Sequence, residues 1–115
     1  MIMHEYWTKT DLLKLPEIKK PGLMFSQDDE ANLIGVEVTR DGSPVTISGD
    51  VVANVTRQDG STIQIEGESD GNKAWVVLSE DAYEIVGNIG VFLKVEDVDS
   101  VSTLCGVEAY VYKTM

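Results

Sequence analysis

From residue 31 onward the chain alternates apolar and polar positions in short runs broken by glycine turns, and before that point the alternation is missing. Ile34, Val36 and Val38 alternate with Gly35, Glu37 and Thr39, and a period of two puts the apolar set on one face of a strand. Asp41-Gly42-Ser43-Pro44 reads as a turn, because Gly supplies positive φ and Pro44 fits only a strand start or edge. A short strand over 45–47 closes at Ser48-Gly49. Residues 51–57 carry Val51, Ala53 and Val55 on one face and Val52, Asn54 and Thr56 on the other, and Asp59-Gly60 turns the chain. Residues 62–68 repeat the pattern with Ile63 and Ile65 before Asp70-Gly71-Asn72, and residues 73–78 set Trp75 and Val77 against Ala74, Val76 and Leu78.

One helical turn interrupts these strands. Ser79 is placed to cap Glu80-Asp81-Ala82-Tyr83-Glu84, whose first-turn acids suit the helix dipole, and the turn ends before Gly87. Residues 88–95 and 102–112 form two further strands joined by the acidic, exposed link 96–100. In the last strand Thr103, Cys105, Val107, Ala109 and Val111 are expected to face the core, with Leu104, Tyr110 and Tyr112 on the other face. About seven strands at roughly ten-residue spacing predict an all-β fold, an antiparallel β-sandwich of the immunoglobulin-like kind. A barrel is the alternative closure.

Residues 1–30 differ in texture. They hold two of the three prolines, and a helical turn at Thr10-Asp11-Leu12-Leu13-Lys14-Leu15 is cut short by Pro16. Pro21-Gly22 marks another bend. The expectation is an extended N-terminal arm over 1–30 attached to a sandwich domain over 31–115. The arm's apolar load, chiefly Tyr6, Trp7, Leu12, Leu13, Leu15, Ile18 and Phe25, needs a cover, either a neighbouring subunit or an open face of its own sandwich. These seven residues are the candidate assembly site.

At 115 residues the chain makes one domain, and 43% hydrophobic content lets it bury a core without a metal or disulfide. With 20 acids against 9 cations the net charge is −11, which repels a phosphate backbone, so nucleic acid and anionic membranes are not expected partners. The lone Cys105 has no disulfide partner and reads as a packed thiol. No run approaches the roughly 18 apolar residues of a spanning helix, and the N-terminus lacks a secretory pattern. The reading is synthesis and assembly in a reducing cytoplasm.

Candidate chemistry is sparse. Glu66-Gly67-Glu68-Ser69-Asp70-Gly71 spaces acids as a calcium loop does, but the twelfth position is Val77 where a bidentate Glu is needed. Asp28-Asp29-Glu30, and Asp97 with Asp99, offer too few ligands at fixed spacing to specify a cation. His4 is the only histidine and lies near a terminus, which leaves a Ser or Cys nucleophile without a placed base. No strand–glycine loop–helix phosphate motif occurs. No catalytic residue, metal or cofactor is therefore assigned. Tyr110 and Tyr112 on one strand face, with Trp75 on another, suggest a sugar-stacking platform, although a Trp between Ala74 and Val76 is more often core.

Two runs carry a family resemblance. Val36-Glu37-Val38-Thr39-Arg40-Asp41-Gly42-Ser43-Pro44-Val45, then 51–57, Gln58-Asp59-Gly60-Ser61 and Thr62-Ile63-Gln64-Ile65-Glu66-Gly67, resembles small virion proteins of tailed phages. Gly71-Asn72-Lys73-Ala74-Trp75-Val76-Val77-Leu78-Ser79-Glu80-Asp81-Ala82-Tyr83 and Val86-Gly87 follow. This order is similar to the N-terminal domain of phage head fibre proteins and of upper baseplate proteins, over residues 32–112. The resemblance implies a β-sandwich that docks a virion appendage onto capsid or baseplate proteins, commonly as a homotrimer, with no catalytic motif to carry over. Longer members continue into a receptor-binding region, whereas this chain reaches Met115 directly after its last strand. The expectation is a virion protein acting as a head fibre or capsid decoration subunit, with a baseplate component or a carbohydrate-binding module as alternatives.

Charge refines the picture of the arm. Residues 9–20 hold Lys9, Lys14, Lys19 and Lys20 against Asp11 and Glu17, a basic stretch on an otherwise acidic chain. Such an arm is suited to an acidic surface, on another subunit or on a shell.

Overall fold

The computed structural model describes residues 2–97 and 100–113. Its strands are β1 (His4–Asp11), β2 (Ile18–Ser26), β3 (Asn32–Arg40), β4 (Ser43–Pro44), β5 (Asp50–Thr56), β6 (Thr62–Glu66), β7 (Glu68–Asp70) and β8 (Lys73–Leu78). A helical turn α1 (Glu80–Tyr83) leads to β9 (Gly87–Asp97) and β10 (Ser100–Tyr112). One sheet has the order β1-β3-β8-β7 with β4 beside β3, and the second has the order β2-β10-β9-β5-β6. The fold is an all-β sandwich.

The period-two pattern positions the core. Ile34, Val36 and Val38 of β3 and Ala74, Val76 and Leu78 of β8 turn inward from one sheet, against Ala53 and Val55 of β5 and Ile89, Val91 and Leu93 of β9 from the other. Trp75 and Val77 therefore lie on the outer face of β8, half-buried, and the expectation of a core tryptophan is corrected.

In β10, Cys105, Val107, Ala109 and Val111 are buried as the alternation requires, but Thr103 is exposed and Leu104 takes the inward position. The cause is a register shift between Thr103 and Cys105, a bulge at which Leu104 has no partner on β9. The bulged Leu104 carbonyl accepts a hydrogen bond from Thr10 Oγ1 at 2.9 Å.

Two further strands differ from expectation. The strand expected over 45–47 is replaced by β4, and residues 45–48 pass over the core edge held by Val45 N to Val38 O at 3.2 Å and Ile47 N to Gly71 O at 2.8 Å. The single strand expected over 62–68 is two strands in different sheets. Gly67 makes that crossing, where a Cβ would run into the carbonyl oxygen of Trp75 and the side chain of Val51.

Residues 4–26 are the largest difference. The stretch expected as an irregular arm supplies an edge strand to each sheet, β1 parallel to β3 and β2 parallel to β10. Both sheets are thus mixed where a fully antiparallel sandwich was expected. Tyr6, Thr8 and Thr10 point inward along β1 while Trp7 and Lys9 point out. Between the two strands Leu13 N bonds Asp11 Oδ1 at 3.0 Å and Lys14 N bonds Asp11 O at 3.0 Å, an Asx-type turn in place of the helical turn. In β2 the ladder jumps from Lys19 to Leu23, so Lys20, Pro21 and Gly22 bulge at a free edge where Pro costs no ladder bond.

Candidate assembly surface

The seven apolar residues proposed for the arm separate by environment. Phe25 is core, 5% exposed, with its ring 5.6 Å from that of Tyr83. Tyr6 and Leu12 are half-buried and pack on the same core. Trp7, Leu13, Leu15 and Ile18 remain exposed, Leu13 at 60% and Leu15 at 87%. The structure thus brings Leu13, Leu15 and Ile18 together on one feature, the crossover over residues 12–17 and the start of β2, where the chain passes from one sheet to the other.

Asp11 shapes this crossover. Its carboxylate accepts hydrogen bonds from Leu13 N, Gly42 N, Asp41 N and Thr39 Oγ1, between 3.0 and 3.1 Å. Those donors, the Leu13 amide first, hold its carboxyl well below the usual carboxylate range. The same clamp fixes the β3–β4 turn, in which Asp41 adopts a positive φ of 49°. Thr10 Oγ1 to Leu104 O and Gly106 N to Glu17 O, at 2.9 Å each, stitch the crossover to β10. The loop is held from both sheets, and Leu13 and Leu15 project from a fixed base.

Trp7 belongs to a separate patch. It stands opposite Gly35, which stands opposite Trp75, so the indole of Trp7 lies across Gly35 and meets Trp75 edge-on with centroids 6.2 Å apart. Lys73 Nζ lies 5.7 Å from the Trp7 ring, and Trp7 Nε1 donates to Glu5 Oε1 at 2.9 Å. Sequence reasoning did not find this pair, since the two rings come together only through the parallel pairing of β1 with β3.

Tyr110 and Tyr112 stand on the outer face of β10, 41% and 40% exposed. The acids of the calcium-like stretch are divided, with Glu66 in one sheet and Glu68 and Asp70 in the other. Asp29 Oδ2 accepts from Ser26 N and Asn32 Nδ2, both at 3.1 Å. Asp99 lies outside the described residues. Among the described residues no three His, Cys, Asp or Glu side chains converge in a way that could hold a metal ion. Cys105 is buried, and burial pushes its thiol up to about 11.

Charge completes the geometry. Lys9, Lys14 and Lys19 line a depression at the crossover together with Asp11 and Glu17, with Arg40 beside Lys14 on its other flank. Across the second sheet, Asp50, Glu66 and Glu96 line a groove with Val51, Val52 and Gly67. This acidic groove was not visible in the sequence, because its carboxylates come from three strands.

No family model matches the chain, and no curated protein matches it. Among solved structures it is similar to the N-terminal domain of phage TP901-1 ORF48, with 13% identity, a TM-score of 0.65, and coverage of 96% of this chain and 100% of that one. At that identity the likeness is one of fold.

Proposed function

We propose that this chain is a non-enzymatic structural component of a tailed-phage particle, a head fibre or capsid decoration subunit assembled in the host cytoplasm. The observation that carries the reading is the fold match to an N-terminal domain of a phage protein over nearly the whole of both chains. The resemblance of residues 32–112 to head fibre and upper baseplate N-terminal domains supports the same class. Exposed leucines on a crossover held from both sheets suit a docking role, and homotrimeric assembly onto capsid proteins is the arrangement proposed.

The test is fractionation of phage particles. The protein should remain with purified capsids after tails are removed. Recovery with detached tails would move it to the baseplate, and its absence from particles would overturn the virion reading. Exposed Tyr110 and Tyr112 favour one second reading, a carbohydrate-binding module. That reading requires glycan binding that Tyr110→Ala and Tyr112→Ala abolish.

A further inference from the structure

The crossover, with its surplus of lysines, and a carboxylate-lined groove farther across the second sheet carry opposite charge. On the β1–β2 edge, residues 9–20 contribute four lysines, of which Lys19 is tied to Glu17 at 2.8 Å. Among the described residues Lys9, Lys14 and Lys20 are in no ion pair. Toward the other edge of the second sheet, a groove across β9, β5 and β6 is lined by Glu96, Asp50, Gln64 and Glu66 over the buried Val51 and Val52. The ladders fix the relation between them. Thr103, Lys94, Val52 and Glu66 form one row straight across the second sheet, and Leu104, next to Thr103, is bonded by Thr10 beside the crossover. Lys94 shares that row, yet no ion pair joins it to any of the three carboxylates.

We propose that the crossover of one copy, residues 12–20, seats in the carboxylate groove of a second copy, so that the chain associates with itself head to tail through these two surfaces. The inference rests on the reading of the chain as an assembly subunit and names the surface that reading leaves open. Val51 and Val52 form the floor of the groove and are themselves buried, so the contact is carried by Lys14 and Lys20 against Asp50, Glu66 and Glu96, with the exposed Leu13 and Leu15 covered as the crossover seats. A second copy is the occupant because every copy presents both surfaces, and because a lysine-bearing crossover on a chain of net charge −11 finds its complement on that same chain. Direct strand addition at the β2 edge is blocked by Pro21 and the Lys20–Gly22 bulge, which leaves side chains to make the contact. A contact between two different surfaces is heterologous, and repetition closes it into a ring where the rotation permits.

Light scattering of the isolated full chain tests this, with circular dichroism confirming that each variant is folded. The wild type should be oligomeric at low salt and lose about tenfold or more in association as ionic strength rises past physiological. Lys14→Glu with Lys20→Glu should yield a monomer, and so should Glu66→Lys with Glu96→Lys. A chain carrying all four changes keeps the net charge and should associate again. A wild type that stays monomeric at its solubility limit overturns the proposal. So does either charge-reversed pair that leaves the oligomer intact, or a fourfold variant that stays monomeric when each pair alone dissociates. The readout uses no phage particle, so it stands apart from whether the protein is recovered on one.

Discussion

Asp11 ends β1, starts the crossover and holds the β3–β4 turn with a single carboxylate. Its pKa is depressed because every strong partner is a donor, the Leu13 amide foremost. A carboxyl that ionises more readily folded than unfolded stabilises the fold fully above its unfolded pKa of about 3.8, and that contribution is lost as pH falls toward the folded value. Asp11→Asn should therefore lower the urea midpoint at pH 7 and make stability fall less steeply between about pH 4 and pH 2. Glu17 and Asp59 are also depressed, by Lys19 and Ser61, so the acid slope should shrink rather than vanish. An unchanged slope in Asp11→Asn would show that the clamp contributes nothing through its charge. Cys105 makes the opposite case, a group whose charged form burial disfavours. At pH 8 its labelling by a thiol reagent should be at least about a hundredfold slower in the folded chain than in urea, and equal rates would mean that this part of β10 opens readily.

At the scale of elements, two crossings close the sandwich, residues 12–17 on one side and Gly67 on the other. Gly67 has backbone on one side and Val51 on the other, and a backbone oxygen cannot swing aside as a side-chain end can. Gly67→Ala should cost about 3 kcal/mol in chemical denaturation, more than an ordinary surface Gly→Ala. A cost under about 0.5 kcal/mol would mean that the crossing relaxes freely. Deleting residues 1–26 removes an edge strand from each sheet and Phe25 from the core, so the truncated chain should lose cooperative melting. A folded truncated monomer would return those residues to the status of an arm.

These elements also show what the sequence could reveal. In β3 and β5 a period of two stands out, and Ile34, Val36 and Val38, with Val51, Ala53 and Val55, were legible as one face each, whereas in β8 the alternation was legible but Trp75, expected in the core, lies on the outer face. In β1 the inward positions are Tyr6, Thr8 and Thr10 and the outward ones include Trp7, so apolarity does not separate the faces. In β2 a three-residue bulge breaks the period. Their parallel partners lie far along the chain, which local pattern cannot report. The crossover leucines were legible as apolar residues in a polar setting, whereas Asp50, Glu66 and Glu96 meet only after three strands have paired.

For the whole molecule, salt acts in two opposite directions. A net charge of −11 repels itself within one copy, and screening that repulsion stabilises the folded chain. Screening also weakens a contact made between lysines and carboxylates of two copies. The two effects separate through protein concentration, since only association makes a melting temperature depend on it. At low salt the wild type should melt higher when more concentrated. In about 1 M salt, where the Debye length is about 3 Å, that dependence should fade. Lys14→Glu with Lys20→Glu should show no concentration dependence at either salt, and its melting temperature should rise with salt by a few degrees. Concentration dependence that persists unchanged in high salt would assign self-association to Leu13, Leu15 and the Trp7–Trp75 patch alone, with the opposed charges of the two surfaces playing no part.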